Sequence, residues 1–258
     1  MRKILGVEKS GHSGTLDPNV SGVLPVGIGK ATRLLPYLTT KDKKYVCLMR
    51  VKQEQSLEQF SALFQKFTGT ITQTPPRESA VAKKPRRRKV YYIKPLQLKP
   101  KEALFEVQCE AGTYIRVLVS EMGAFTGGAE MLELRRIAVG DITEARANKI
   151  QTLSDAFWAA RQGDGFALSR MLLPPQEALR LRKVVLRGAA VDAVAAGAPL
   201  YAPGLSAMDA GIARGDAVAL SSADGRFIGV GRASVSSIEA VGMKSGAVAA
   251  PEVIVAKR

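Results

Sequence analysis

Apolar residues change their period along this chain, and each change predicts an element. The run Lys43-Lys44-Tyr45-Val46-Cys47-Leu48-Met49-Arg50-Val51 is dense in apolar and β-branched side chains, which predicts a largely buried strand. Leu57, Phe60, Leu63, Phe64 and Phe67 then recur at helical spacing, with Ser56 as N-cap, Gln59 at the capping-box position and Gly69 as the stop. That helical period assigns the phenylalanines to the core and not to a base-stacking platform. Residues 90–98 read as a strand. Residues 104–110 alternate cleanly, Phe105, Val107 and Cys109 inward and Glu106, Gln108 and Glu110 outward, so this strand has one wet face and ends at Ala111-Gly112. The run Thr113-Tyr114-Ile115-Arg116-Val117-Leu118-Val119-Ser120 enters a helix that runs to about Phe125. Weaker patterns predict the end of a helix before Glu8-Lys9-Ser10-Gly11, a short apolar run over 23–28 and a helical turn over 31–38 with Leu34, Leu35 and Leu38 on one side. A helix-and-loop pair is expected around Met131-Leu132-Glu133-Leu134-Arg135-Arg136, and a helix over 152–160, capped by Thr152 or Ser154, carries Trp158.

Beyond the joint Leu173-Pro174-Pro175-Gln176 the composition shifts to Ala, Gly and Val. Short apolar runs at 183–186, 216–220 and 227–233, with turns at intervals of about ten residues, predict a small β-rich barrel; an alanine-rich small fold of another kind is the alternative. The fold class is therefore α+β. The expected domains are 1–175, a mixed and largely antiparallel sheet with flanking helices, and 176–258, the barrel. A chain of 258 residues is long enough for one large and one small domain.

Charge narrows the partner. With 38 Lys+Arg against 23 Asp+Glu the formal net charge is +15, an excess that calls for a polyanion. No apolar run approaches the ~18 residues of a spanning helix and no basic amphipathic anchor is present, so nucleic acid is favoured over a membrane surface. The start lacks the apolar core and cleavage site of a secretory signal, which predicts an intracellular, cytoplasmic protein. Cys47 and Cys109 stand in strand-like runs and read as reduced core thiols. A single histidine makes a protein-built metal site untenable, and no phosphate-cradling glycine motif occurs, so neither metal nor cofactor is expected.

The chemistry concentrates in Gly11-His12-Ser13-Gly14-Thr15-Leu16-Asp17-Pro18, followed by Ser21-Gly22-Val23-Leu24-Pro25-Val26-Gly27. Glycines and prolines around one acidic residue describe a loop that displays the Asp17 carboxylate; an Asx-turn in which Asp17 only caps backbone amides is the bland alternative. A second feature is Pro75-Pro76-Arg77-Glu78-Ser79-Ala80-Val81-Ala82 and then Lys83-Lys84-Pro85-Arg86-Arg87-Arg88-Lys89, a loop in which six of the last seven residues are cationic. A solvated loop, a nuclear-import address and a track along RNA phosphates all fit such a run; its place between a helix and a strand favours RNA, through Arg77, Lys83, Lys84, Arg86, Arg87 and Arg88.

The words G-H-S-G-T-L-D-P, A-G-T-Y-I-R over 111–116, M-x-E-L-R-R over 131–136 and the P-P-x-x-S-A-V segment with its basic run resemble pseudouridine synthases of the TruB and dyskerin type. The second half, through Gly215-Asp216-Ala217-Val218 and Asp224-Gly225, resembles the PUA module that follows the catalytic domain in archaeal members. The resemblance implies a pseudouridine synthase fold followed by a PUA barrel, and cofactor-free isomerisation of uridine to pseudouridine in rRNA or tRNA. It assigns Asp17 as the essential aspartate, Arg116 as its ion-pair partner, Tyr45 as the base-stacking tyrosine and Tyr114 as a second active-site tyrosine. Leu134 becomes an apolar wall of the uracil pocket, and His12 an RNA contact; a loop histidine bonding its own backbone is an equal alternative for His12. The implied partners are an H/ACA guide RNA, the substrate RNA and small protein subunits of the particle.

Three departures from the pattern stand out. Lys43-Lys44 replaces the usual Lys-Glu and is expected to add charge near the RNA path. The turn Lys52-Gln53-Glu54-Gln55 lacks the usual Gly-Asp. The family's first motif, a Lys-Pro-x-x-x-Thr-Ser-His strand, is absent, which implies that the first strand of the catalytic domain is missing and that the natural domain starts upstream of Met1. Three functions stay open on the sequence: a guide-directed synthase, a stand-alone tRNA-modifying enzyme, and an inactive RNA-binding scaffold.

Overall fold

The computed structural model describes residues 1–76 and 82–256. In chain order the strands are β1 (Ser10–His12), β2 (Val20–Gly22), β3 (Val26–Ile28), β4 (Lys43–Val51), β5 (Gly69–Gln73), β6 (Arg86–Lys99), β7 (Glu102–Cys109), β8 (Ala129–Val139) and β9 (Ile142–Thr143). The later strands are β10 (Lys183–Leu186), β11 (Leu200–Tyr201), β12 (Leu205–Met208), β13 (Ala217–Ser222), β14 (Phe227–Ala233) and β15 (Ala247–Ile254). The helices are α1 (Arg2–Leu5), α2 (Leu35–Thr39), α3 (Leu57–Lys66), α4 (Ile115–Met122), α5 (Ile150–Arg161), α6 (Phe166–Met171), α7 (Pro175–Leu179), α8 (Gly188–Ala195) and α9 (Ser237–Ala240). Among the described residues no helix is long and apolar enough to cross a membrane.

The chain forms two compact units. One is His12–Pro25 with Pro36–Lys149; the other is Met1–Gly11 with Val26–Leu35 and everything from Ile150 onward.

The first unit is built on a sheet of order β2-β8-β4-β7-β6-β5, with β9 added to β8. Its ladders are antiparallel except for β2 against β8. In β7 the predicted alternation is realised: Ala103, Phe105, Val107 and Cys109 are all buried. Cys47 lies opposite Phe105 on one neighbour and Leu134 on the other, so both cysteines are free thiols inside the core. The α3 helix starts as the sequence predicts. The Ser56 side chain accepts from the Gln59 N–H, and Gln59 returns the bond to the Ser56 N–H, a capping box that satisfies donors the helix cannot. Phe60, Leu63 and Phe64 are buried, and the Phe64 ring meets Phe105 at 5.1 Å between centroids. A buried phenylalanine of this kind contributes roughly 1.5–3 kcal/mol from area alone. Leu118 and Met122 of α4 complete the cluster.

The second unit carries a six-stranded sheet of order β11-β15-β14-β13-β10-β12, antiparallel apart from β10 beside β13. Val184, Leu186, Leu220, Ile228 and Val248 form its own core, distinct from that around Phe105. The fold class is thus α+β as expected.

Several local expectations are corrected. Residues 131–136 are strand, not helix: β8 is hydrogen-bonded to β4 along one edge and β2 along the other, and those ladders override a short, ambiguous apolar run. The basic run is not a loop throughout, because Arg86, Arg87, Arg88 and Lys89 already belong to β6 and pair with β5. The β5 strand itself, following directly on α3, is absent from the sequence reading. The first helix stops at Gly6, whose φ of 61° is the left-handed cap that glycine adopts without penalty, and Ser10–His12 is strand. Part of the 31–38 turn is a 3-10 helix, Gly29–Leu34, before α2. Finally, α5 begins at Ile150, so Thr152 and Ser154 lie inside it and cap nothing.

Candidate active site

All of the site geometry described next lies within the first unit. The Asp17 loop leaves β1, which pairs with β3, and joins the larger sheet as β2. Its base is closed by the Ser13 N–H donating to Pro25 O at 3.1 Å, and its tip by the Val20 N–H donating to Asp17 O at 2.9 Å. Gly22, at φ 109°, sits so close to β8 that a Cβ would meet Arg136 O at 2.1 Å; only glycine lets the loop dock on that strand.

Asp17 Oδ2 and Arg116 Nη2 are 3.1 Å apart, an ion pair between groups that are each about half exposed, 52% and 46%. At that exposure the pair contributes little to stability, and its effect is on aim: the guanidinium holds the carboxylate in one orientation. Arg116 occupies the first turn of α4, whose N-cap is Tyr114. The Tyr114 backbone is held from β5 by the Gln73 amide, whose Oε1 accepts from the Tyr114 N–H at 3.0 Å while its Nε2 donates to Tyr114 O at 3.1 Å. Gln73 is 2% exposed, so a strand end fixes the helix start that carries Arg116.

Tyr45 of β4 stands directly opposite Arg136 of β8, which places both side chains on one face of the sheet. Burial pushes the Tyr45 phenol up to about 12, with Arg136 opposing the shift, so Tyr45 is a neutral ring at any physiological pH. Leu134 is buried, opposite Cys47 and Val20. His12 is exposed at the end of β1.

Lys43 does not add charge to a surface path, contrary to expectation. It is buried, its Nζ donates to Thr39 O at 2.5 Å and Lys41 O at 2.6 Å, and burial first, then Arg136, lowers its pKa to about 8.

The basic residues divide. Lys83 donates to Pro76 O at 2.8 Å, Lys84 and Arg87 are exposed, and Arg86 and Arg88 are half-buried. Arg77 lies outside the described residues. Gln73, Pro75, Arg86, Arg88, Gly112 and Tyr114 line one small cleft. Within it Arg88 Nε is buried without a hydrogen-bond partner, although its Nη1 reaches Glu110 Oε1 at 3.8 Å.

Sequence reasoning missed Gln73, Arg136 and the inward turn of Lys43 as parts of this constellation. Arg136 had a signal, a second arginine in M-x-E-L-R-R amid apolar neighbours; Gln73 had none.

Comparison with known proteins gives three family matches: the TruB family pseudouridylate synthase N-terminal domain over residues 2–115, the tRNA pseudouridylate synthase B C-terminal domain over 116–180, and a PUA domain over 182–255. A probable tRNA pseudouridine synthase B of Pyrobaculum aerophilum is 43% identical over 261 residues, covering 100% of this chain and 78% of the relative. Its counterpart in Methanothermobacter thermautotrophicus is 42% identical over 252 residues, 96% of this chain and 78% of that protein. Among solved structures, an H/ACA RNP bound to a substrate RNA containing 2'-deoxyuridine matches with a TM-score of 0.89 at 37% identity, over 100% of this chain and 79% of that one. A Cbf5-Nop10-Gar1 complex matches with a TM-score of 0.87 at 39% identity, over 98% and 78% of the two chains.

Proposed function

The chain belongs to the TruB family of pseudouridylate synthases, and on that footing we propose that Asp17 acts on a uridine stacked on Tyr45, in RNA selected by an H/ACA-type guide. The observation that carries the reading is the 3.1 Å Asp17–Arg116 ion pair at the tip of a glycine-bounded loop, on a sheet that also presents Tyr45. Pseudouridine formation breaks the C1′–N1 bond and makes a C1′–C5 bond, with the C5 proton lost and N1 protonated. Nothing is oxidised or reduced, so a side-chain site suffices. A uridine must leave its stack before this bond can be reached, and a neutral aromatic face receives it. Asp17, aimed by Arg116, either attacks C1′ or takes a proton from the sugar. Tyr114 borders the site, Leu134 supplies apolar wall and His12 meets the RNA. Arg77, Lys83, Lys84, Arg86 and Arg88 follow phosphates, whereas Arg87 lies on the opposite face of β6.

Guide direction is supported by the whole-chain likeness to the H/ACA particle bound to a substrate RNA. In this reading residues 1–175 are the catalytic domain, residues 176–258 the PUA domain that grips the guide, and small protein subunits complete a cytoplasmic particle. The second reading, a stand-alone tRNA enzyme, is favoured by the names of the archaeal relatives. Tritium release from C5-labelled RNA separates the two, since the first requires an added guide RNA and the second proceeds on tRNA without it. In either case Asp17→Asn is expected to abolish release while RNA affinity stays within a few-fold, because phosphate contacts supply most binding. Residual turnover within about tenfold of the parent would overturn the assignment of Asp17.

A further inference from the structure

We propose that Arg136 is a positioning residue for this reaction, one buried guanidinium that holds both feet of the Asp17 loop and faces Tyr45 across the strand pair. The proposal rests on the pseudouridine synthase reading. Arg136 is 3% exposed. Its Nη2 donates to Gly14 O at 3.1 Å, three residues before Asp17, and its Nε donates to Val23 O at 2.7 Å, six residues after. Its own carbonyl accepts from the Val23 N–H at 2.8 Å, so backbone and side chain grip the same residue. Tyr45 stands directly opposite Arg136 on the neighbouring strand, so its ring shares a face of the sheet with the guanidinium. One side chain thus ties the chain before the aspartate to the chain after it, from the strand position opposite Tyr45.

A core built for stability alone would not choose this residue. The acceptors of Arg136 are backbone carbonyls and not a carboxylate, and a second buried cation, Lys43, repels it. Replacing such a cation by a well-packed apolar residue is commonly neutral or stabilising. What an apolar side chain cannot supply is donors at fixed angles, and a planar guanidinium supplies them to two carbonyls at once. An ammonium keeps the charge but not the fork.

The test is therefore Arg136→Lys, read in two ways on the full chain. Single-turnover tritium release at saturating protein is expected to fall about 10- to 100-fold while RNA affinity stays within about twofold, since misplacing a reactive group by about 1 Å costs that much. Amide hydrogen exchange is expected to speed up in a peptide covering residues 12–25 and to stay unchanged over 217–233. Parent-like exchange in 12–25, with or without a loss of rate, overturns the proposal, as does a parent-like rate. A parent chain that releases no tritium on any RNA, combined with faster loop exchange in the variant, would instead sink the enzymatic reading and leave the loop-holding role standing.

Discussion

Gln73 shows how far a single amide reaches into this site. It makes two bonds to one backbone unit and so sets where Tyr114 ends and α4 begins, and Arg116 follows two residues later. In Gln73→Glu an ionised carboxylate still accepts from the Tyr114 N–H but cannot donate to Tyr114 O. We expect this variant to lose turnover at neutral pH and recover part of it below the carboxyl's pKa, when the protonated acid donates again; a flat activity ratio to the parent across pH 3–8, about one unit or more either side of a carboxyl's titration, would remove Gln73 from the argument. Lys43 makes a second residue-scale case. Its folded pKa of about 8 lies below the unfolded value near 10.5, so the unfolded chain binds more protons between those values and this group's contribution to stability rises with pH across that window. The sign predicts that the melting temperature of the parent gains on that of Lys43→Met between pH 7.5 and 10, roughly the span of the two pKa values. A constant difference would place the Lys43 ammonium in water. Asp17, Arg116 and Tyr45 were legible because motif words carried them; Gln73 and Lys43 were not, because their roles depend on carbonyls and amides brought together by distant pairing.

At the scale of elements, β6 turns a charge run into two faces. Along a strand successive side chains alternate, so Arg86 and Arg88 lie together in the cleft beside Tyr114 while Arg87 projects to the other side. The Arg88 Nε left without an acceptor marks the cleft face as the one suited to a phosphate oxygen. Replacing Arg86 and Arg88 by alanine should flatten the salt dependence of substrate RNA binding by roughly 0.7 slope units for each true single-strand contact, and replacing Arg87 should leave the slope where it was. Equal losses from both faces would mean that the run acts as diffuse charge. The sequence displayed the density of this run but not its faces, because the strand exists only through pairing with β5, whose Gly69–Gln73 stretch has no strong strand pattern of its own. The α3 helix was legible for the opposite reason: its cap, period and stop are all local. Residues 131–136 fall between the two, a short apolar run that only its two ladders decide.

For the whole molecule the informative feature is where the chain changes unit. The composition break at 173–176 marks where small residues take over, yet the contacts group Met1–Gly11 and Val26–Leu35 with everything from Ile150 onward. The segments that flank residues 12–25 on both sides therefore belong to the unit that contains the PUA match. Within that unit Lys30 Nζ donates to Ala256 O at 3.0 Å and Arg33 Nη1 to Ile254 O at 2.9 Å, so the segment leading away from the loop is tied to the last strand. Sequence alone could not reveal this, since the partners are more than two hundred residues apart and the acceptors are backbone carbonyls. Deleting from Gln176 onward removes both acceptors. The Phe105 core remains, because its members all come from residues 47–134. We expect the shortened chain to keep slow amide exchange over 103–109, to exchange faster over 26–35, and to lose turnover on a minimal substrate as well as any preference for guides ending in ACA. Lys30 and Arg33 lose their acceptors, the flanking segment 26–35 loosens, and a loop joined to a loosened flank no longer presents Asp17 at a fixed angle to Arg116, whatever RNA is bound. A truncated protein with parent-like exchange over 26–35 and parent-like turnover would show that the C-terminal half serves RNA selection alone.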